Sequence, residues 1–97
     1  MIIVEVVYEI KEGCRQELYD RLMVEHVAEN SRNDEGNLKY DYYFDPENEN
    51  RMILLEHWTS LELLRKHSQS EHLAKMRSWR GAYVTGQQVR KFECTEI

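Results

Sequence analysis

The stretch of this chain that decides its fold is residues 56–72, which read EHWTSLELLRKHSQSEH. An apolar, strand-like segment ends in Glu-His-Trp at residues 56–58, and a helix start follows at once. Two histidines, His67 and His72, stand on either side of a serine-rich break in the helical pattern. The stretch therefore predicts a strand-to-helix corner that gathers a carboxylate, an indole and two imidazoles.

Outside this corner, alternating apolar residues predict four β-strands in all, at residues 2–10, 38–45, 51–58 and 88–96. The turn sequence Pro-Glu-Asn-Glu-Asn joins the second and third strands, so we expect these two to form an antiparallel hairpin. Leu38 is expected to share a face of the second strand with Tyr40. The last strand is charged and weakly patterned, which is typical of a sheet edge.

Helical periodicity covers residues 14–31 and places His26 on the apolar stripe of that helix. Two capping-box patterns, which begin at Thr59 and Ser68, predict two short helices with a break between them rather than one long helix. Residues 81–86 are predicted to be a loop before the last strand.

The resulting order, β-α-β-β-α-α-β, predicts one domain over residues 1–97 with the α+β architecture of a ferredoxin-like sandwich. A four-stranded antiparallel sheet would carry the helices on one face. The other face keeps apolar residues such as Ile3, Val7 and Ile53, and a chain this short has no second layer to cover them. We therefore expect a homodimer that packs sheet to sheet.

The overall charge and composition exclude several classes of partner. The formal net charge is -5 and no cluster of lysine and arginine offsets it, so nucleic acid is not an expected partner. No apolar run approaches the roughly 20 residues of a membrane-spanning helix, and no signal peptide is recognised. Cys14 and Cys94 lie far apart, which favours free thiols and a cytoplasmic location over a disulfide.

Four side chains are candidates for proton transfer: His26, Glu56, His67 and His72. Glu56 lies between apolar residues on one strand face, where desolvation raises a carboxyl pKa; the alternative is a strand-end glutamate that pairs with an arginine. His26 is either a core histidine bonded to a backbone carbonyl or a base in a cleft between helix and sheet. His67 and His72 do not have the spacing of a helical metal pair, so no metal site is predicted, although the break between them lets them converge.

Three further residues, Tyr42, Trp58 and Leu64, are candidates for contact with a substrate. The indole of Trp58 is either part of the core or a flat wall for an aromatic ligand. Tyr42 is either a β-forming core residue or a phenol that hydrogen-bonds a substrate oxygen. The chain has no glycine-rich phosphate loop and no Cys-x-x-Cys pair, so no nucleotide, flavin or haem cofactor is expected.

The chain resembles the antibiotic biosynthesis monooxygenase-like family over nearly its whole length. The resemblance is carried by the pattern E-x-W-x-S-x-x-x-L-x-x-H-x-x-S-x-H over residues 56–72 and is supported by an Asp-Pro turn at residues 45–46. It implies a dimeric α+β barrel that binds a small molecule. The family includes cofactor-independent quinol monooxygenases, isomerases of a phosphorylated autoinducer, and haem-degrading enzymes.

Individual segments resemble different branches of that family. Residues 36–41 and 45–47 look like the autoinducer isomerase, whereas residues 56–58 look more like the quinol monooxygenase. The haem-degrading branch uses an asparagine in the first strand, a tryptophan and a histidine. Here that strand has no asparagine, and His67 and Arg77 stand where the tryptophan and the histidine would fall, so haem degradation is not expected.

The leading functional hypothesis is therefore a cofactor-independent monooxygenase that acts on a quinol or a similar electron-rich aromatic. His67, His26 or Glu56 would be the base that forms the phenolate, and His72 would orient the substrate or stabilise negative charge. Trp58 and Tyr42 would form the walls of the pocket.

Two alternatives remain open at this point. The first is an isomerase of a small hydroxy-ketone; a phosphorylated substrate would need cations near the cleft, for which Arg65, Lys66 and Arg77 are the candidates. The second is a domain that binds a small ligand without catalysis.

Overall fold

The computed structural model describes all 97 residues as four strands and four helices. In chain order these are β1 (Ile2–Ile10), α1 (Arg15–Val24), α2 (Val27–Arg32), β2 (Asn37–Phe44), β3 (Arg51–Trp58), α3 (Leu61–Ser68), α4 (Glu71–Arg80) and β4 (Val84–Glu93). The predicted α+β, ferredoxin-like order is confirmed, with the first helical region split in two. None of the four helices has the length and apolar character needed to span a membrane.

The strands form one antiparallel sheet in the order β2-β3-β1-β4. In the centre of the sheet, Val6 of β1 lies opposite Leu54 of β3 on one side and Val89 of β4 on the other. Side chains alternate between the two faces of a strand, and β1 and β3 each bury every second residue. These buried residues meet the helices in one core of 16 hydrophobic side chains, so the core lies entirely on one face of the sheet.

The first predicted helix is interrupted at His26, which has a positive φ of 58°. This left-handed backbone ends α1, and the carbonyl oxygen of His26 then accepts a hydrogen bond from Asn30 N (2.9 Å) as α2 begins. The change of direction removes His26 from the apolar stripe. Its ring is exposed and pairs with Glu29 (2.9 Å) instead of facing a cleft, so the placement expected from the sequence is wrong.

The predicted break between α3 and α4 is confirmed, but each helix starts at a later residue than the capping boxes indicated. Ser60 rather than Thr59 caps α3, because Thr59 is still held beside the sheet by a hydrogen bond to the carbonyl oxygen of Gly36 (2.9 Å). Ser70 rather than Ser68 caps α4. The Ser68 hydroxyl turns back and donates to a carbonyl of α3 (3.1 Å).

Two strand predictions need correction. β4 begins at Val84 because its ladder with β1 extends to Ile10, so the predicted 81–86 loop shrinks to a short turn. In β2, the register shifts between Asn37 and Lys39, and the side chain of Leu38 is exposed instead of sharing the buried face. Both differences arise from irregular pairing, which side-chain alternation does not reveal.

The second face of the sheet has no helix against it. Ile3, Val7, Ile53 and Leu55 lie there half-buried, and Phe92 of β4 is exposed on the same face. Charged side chains flank the apolar centre, and Glu9 pairs there with an arginine of β3 (2.8 Å). Within a single chain this apolar surface therefore remains open.

Candidate active site

A cleft of about 200 Å³ lies between the helical layer and the sheet. Most of its lining is apolar and comes from the two central strands and the last two helices: Val4, Val6, Leu54, Leu64, Leu73 and Met76. Glu56 and His67 also line the cleft. An apolar pocket with a few convergent polar groups is the usual form of a small-molecule site.

Glu56 is the carboxylate of the cleft, and its side chain is only 8% exposed. Its position follows from strand alternation, which puts it between Leu54 and Trp58 on the face that β3 buries. The indole Nε1 of Trp58 donates a hydrogen bond to Glu56 Oε1 (3.0 Å). Burial raises the pKa of Glu56 to about 7, although the Trp58 hydrogen bond and the positive charge of Lys91 both oppose this rise. Glu56 therefore exchanges a proton near neutral pH.

His67 stands beside Glu56, with its side chain 3% exposed and its ring 4.4 Å from the Trp58 ring, centroid to centroid. Its Nδ1 lies 2.7 Å from Asp34 Oδ2. Because an ionised carboxylate only accepts hydrogen bonds, Nδ1 is the donor and the other ring nitrogen, Nε2, is a free base in the neutral ring. That Nε2 faces Glu56 Oε1 at 3.7 Å. Burial lowers the pKa of His67, and Asp34 opposes this shift.

Asp34 also links His67 to His72, whose Nε2 lies 3.1 Å from Asp34 Oδ2. The hydroxyl oxygens of Ser31 and Ser70 lie 3.4 and 3.3 Å from the same nitrogen. Asp34 itself is partly exposed in the turn that leads into β2, so it connects buried His67 with the surface. Glu56, His67 and Asp34 therefore form a continuous row of polar side chains from the cleft to the surface.

Gly36 explains why the turn that carries Asp34 packs so closely against α3. Its φ is +86°, and a Cβ at this position would lie 2.5 Å from Leu63 Cδ1 and 2.8 Å from Thr59 Oγ1. A glycine is therefore required both by the backbone conformation and by the close approach of α3. This contact fixes Asp34 against the helix that supplies His67.

The same three side chains are the group that could hold a metal ion. Asp34, His67 and His72 offer one oxygen and two nitrogen atoms that lie within 4.8 Å of one another. Such a set suits a divalent transition metal. In this structure His67 Nδ1 is hydrogen-bonded to Asp34, and His67 would have to lose its Nδ1 proton before that nitrogen could coordinate.

The structure places the predicted site residues in different surroundings. Glu56, His67 and Leu64 line the cleft. Trp58 is fully buried behind this lining, so its placement in the wall is corrected. Tyr42 does not line the cleft either; its neighbour Tyr40, whose ring centroid is 5.8 Å away, takes that place.

Two of the predicted histidines lie outside the cleft. His72 lies beside His67, with ring centroids 5.8 Å apart, and shares Asp34 with it, but it does not line the cleft and is not placed to orient a substrate directly. His26 is exposed at the junction of α1 and α2. Asp34 was missed because periodicity gives no information on where a loop residue packs; the only signal in the sequence was its place just before the glycine turn.

Comparison with known proteins identifies the class to which this fold and cleft belong. Residues 1–79 match the family model described as antibiotic biosynthesis monooxygenase. The chain belongs to this family. No curated protein matches it at a meaningful level of similarity.

Solved structures share the fold at low sequence identity. PA3566 from Pseudomonas aeruginosa superposes with a TM-score of 0.85 at 18% identity, over 98% of this chain and 94% of that one. Rv0793 from Mycobacterium tuberculosis gives a TM-score of 0.85 at 21% identity, over 99% and 96% of the two chains. A structure described as an antibiotic biosynthesis monooxygenase gives 0.80 at 21% identity, over 99% and 100%. These similarities establish the architecture.

Proposed function

We propose that this protein is a cofactor-independent monooxygenase that acts on a quinol or another small electron-rich aromatic. The observation that carries the proposal is the buried pair of Glu56 and His67 at a cleft in which nine of the 16 lining residues are hydrophobic. The reaction needs a base that works near neutral pH, which this pair provides, and a pocket poor in water, which the apolar strand and helix residues of the lining favour. Membership of the family adds support.

The first step is removal of a phenolic proton from the substrate. Ionised Glu56 lines the cleft and accepts this proton, and His67 Nε2 lies 3.7 Å behind it as a second acceptor. Asp34 stabilises the imidazolium that forms when His67 is protonated, because its carboxylate already accepts from Nδ1 (2.7 Å). The proton is thereby held inside the protein at the time when the phenolate reacts.

The phenolate then passes one electron to O2, and the resulting radical pair combines to form a carbon–oxygen bond. The hydroperoxide that follows takes up the proton held by the protein and loses water, while the ring carbon gives up its hydrogen. One oxygen atom of O2 stays on the ring and the other leaves as water, so the quinol is converted to a hydroxylated quinone. The apolar walls keep water away from the radical pair.

An isomerase of a small hydroxy-ketone is the second candidate, since a carboxyl group and an imidazole 3.7 Å apart can also move a proton between two carbon atoms. This reaction requires no O2. Turnover of a hydroxy-ketone without oxygen would favour the isomerase, and ligand-dependent stabilisation without any turnover would favour a binding domain.

We also propose that the protein acts as a homodimer and that the second copy covers the open face of the sheet. The apolar centre of that face includes Val7 and Ile53, which lie opposite each other on the two middle strands. A self-complementary contact across a two-fold axis would bury this surface. The cytoplasm remains the proposed location, because both cysteines are free thiols in this structure.

The test of the catalytic proposal is oxygen consumption by the metal-free protein with a panel of reduced quinols and polyphenols. The parent protein should exceed autoxidation, and loss of either proton acceptor, in Glu56→Gln or in His67→Ala, should lower the rate by roughly 100-fold or more, the usual contribution of a general base. Asp34→Asn should lower it as well, because the amide no longer stabilises the imidazolium.

His26→Asn is the matched control, since it removes a histidine at a position whose positive φ asparagine tolerates. Its rate should equal that of the parent. Equal rates in the parent, Glu56→Gln and His67→Ala would overturn the assignment of the base. No uptake above autoxidation on any compound of the panel would overturn the oxygenase proposal itself.

A further inference from the structure

Three cations surround the mouth of the cleft. Arg77 and Arg80 are one turn apart on α4, and Lys91 lies on β4. Lys91 is paired with Val4 in the sheet, on the face that the helices cover, so it lines the cleft opposite the arginines. The mouth is thus bracketed by positive charge from two separate elements.

These cations have no acidic partner within the protein. None of the 11 ion pairs of the chain includes Arg77, Arg80 or Lys91. The guanidinium of Arg80 makes a weak contact with Met76 Sδ (3.8 Å), and it lies 5.7 Å from the Tyr8 ring centroid, where its charge and a hydrogen bond act on the Tyr8 hydroxyl. Four of the six other arginines find a carboxylate or carbonyl group, so a cleft lined by three cations without such a partner leaves room for an anionic ligand.

The local charge also runs against that of the whole chain. The protein has 18 acidic and 13 basic residues, yet Glu56 is the one carboxylate that lines the cleft beside the three cations. The positive field reaches the interior, since the charge of Lys91 lowers the pKa of Glu56 and that of Arg80 lowers the pKa of Tyr8, in both cases against the larger effect of burial. An anion that approaches this protein therefore meets a favourable potential at the cleft.

We propose that the mouth formed by Arg77, Arg80 and Lys91 binds an anionic substituent, a carboxylate or a phosphate, of a single-ring substrate whose ring enters the apolar part of the cleft. The inference rests on the proposed function only for the nature of the ring. Guanidinium and ammonium groups are the usual partners of both anions. A volume of about 200 Å³ admits one aromatic ring with a small substituent, given that a cavity of roughly 150 Å³ holds benzene.

The anion also orients the substrate. With its charged group held at the mouth, the ring points inward, and a hydroxyl on the far side of the ring approaches Glu56. This arrangement selects para-type substrates, in which the anionic group and the reacting hydroxyl are on opposite sides of the ring, over neutral quinols of the same size.

The test compares matched ligands by isothermal titration calorimetry under nitrogen, so that binding is measured without turnover. One pair is 4-hydroxybenzoate and its neutral amide, 4-hydroxybenzamide; the other is 4-hydroxyphenyl phosphate and hydroquinone. At least one anionic probe should bind roughly 10-fold more tightly than its neutral partner, and the pair that shows the larger ratio identifies carboxylate or phosphate. Added salt should weaken the anionic probe alone.

Arg80→Gln and Lys91→Gln should each remove most of that preference and leave the affinity for the neutral compound unchanged. Arg65→Gln is the control, because Arg65 is a cation of α3 that lies outside the cleft and should have no effect. The proposal is overturned if both anionic probes bind no better than their neutral partners, absence of binding included, or if Arg65→Gln matters as much. If the protein consumes no O2 above autoxidation but still prefers the anionic probes, the oxygenase proposal is wrong and the proposed anion site is retained.

Discussion

At the scale of single residues, the most consequential property is the protonation of Glu56. Burial raises the pKa of this carboxyl group from 4.5 to about 7 in the folded protein. The folded state therefore holds the proton more tightly than the unfolded chain does, and stability falls as pH rises from about 4.5 to about 7. We predict that this group alone costs roughly 2 to 3 kcal/mol of unfolding free energy between pH 5 and pH 8.

Glu56→Gln should remove this part of the pH dependence, because the amide does not ionise. The measurement is chemical denaturation of parent and variant at both pH values. His67, whose pKa is lowered by burial, acts in the opposite direction below pH 6.5, but it does so in both proteins. An identical loss of stability with rising pH in the two proteins would show that Glu56 ionises normally.

The sequence predicted part of this site, and the reason differs from residue to residue. Glu56 and His67 were identified because strand alternation and the helix start fix which face each one occupies. Asp34 was not identified from the sequence, because it belongs to a turn whose position depends on packing against α3. Lys91 was not identified either, because the charged sequence of β4 resembles that of any exposed edge strand.

At the scale of secondary-structure elements, the contact between the Gly36 turn and α3 should be the least tolerant of change. Gly36→Ala adds a methyl group 2.5 Å from Leu63 Cδ1 at a φ of +86°. We expect a loss of roughly 3 kcal/mol in unfolding free energy, measured by urea denaturation.

Gly13→Ala provides the matched control for that substitution. Gly13 also has a positive φ, of 74°, but nothing lies within 4 Å of its added Cβ. It should cost only the backbone strain, about 1 to 2 kcal/mol. Equal losses in the two variants would mean that the approach of α3 contributes nothing and that strain explains both.

The elements themselves were predictable where side-chain pattern and pairing agree, as in β1 and β3, whose boundaries matched the expectation. They were less predictable where the backbone departs from a regular form. His26 adopts a left-handed backbone conformation that histidine rarely takes. No pattern in the sequence predicted that α1 would end just before this residue. The N-caps are Ser60 and Ser70 rather than the predicted Thr59 and Ser68. Each segment contains several hydroxyl residues that could cap a helix, and tertiary contacts determine which one does.

At the scale of the whole molecule, the open face of the sheet predicts a dimer that a single charge can disrupt. Ile53 lies near the centre of this face, so Ile53→Lys would place an ammonium group inside the proposed contact. We expect the parent to have the mass of a dimer by light scattering at micromolar concentration and Ile53→Lys to shift toward the monomer.

Val24→Lys is the control for this prediction, because Val24 is 73% exposed on α1 and faces away from the sheet. It should leave the mass unchanged. Circular dichroism establishes that both variants remain folded. A parent protein that is monomeric at all concentrations, or a dimer that survives Ile53→Lys, would exclude this interface.

The absence of any fully buried side chain on β4 has a consequence for how this family member can change over evolutionary time. Gln87, Val89 and Lys91 of this strand help to line the cleft, yet the hydrophobic core takes nothing from them. Most substitutions that threaten an enzyme do so by unfolding it, and these positions are largely free of that penalty. The lining of the cleft can therefore change along one strand while the core, Glu56 and His67 stay as they are.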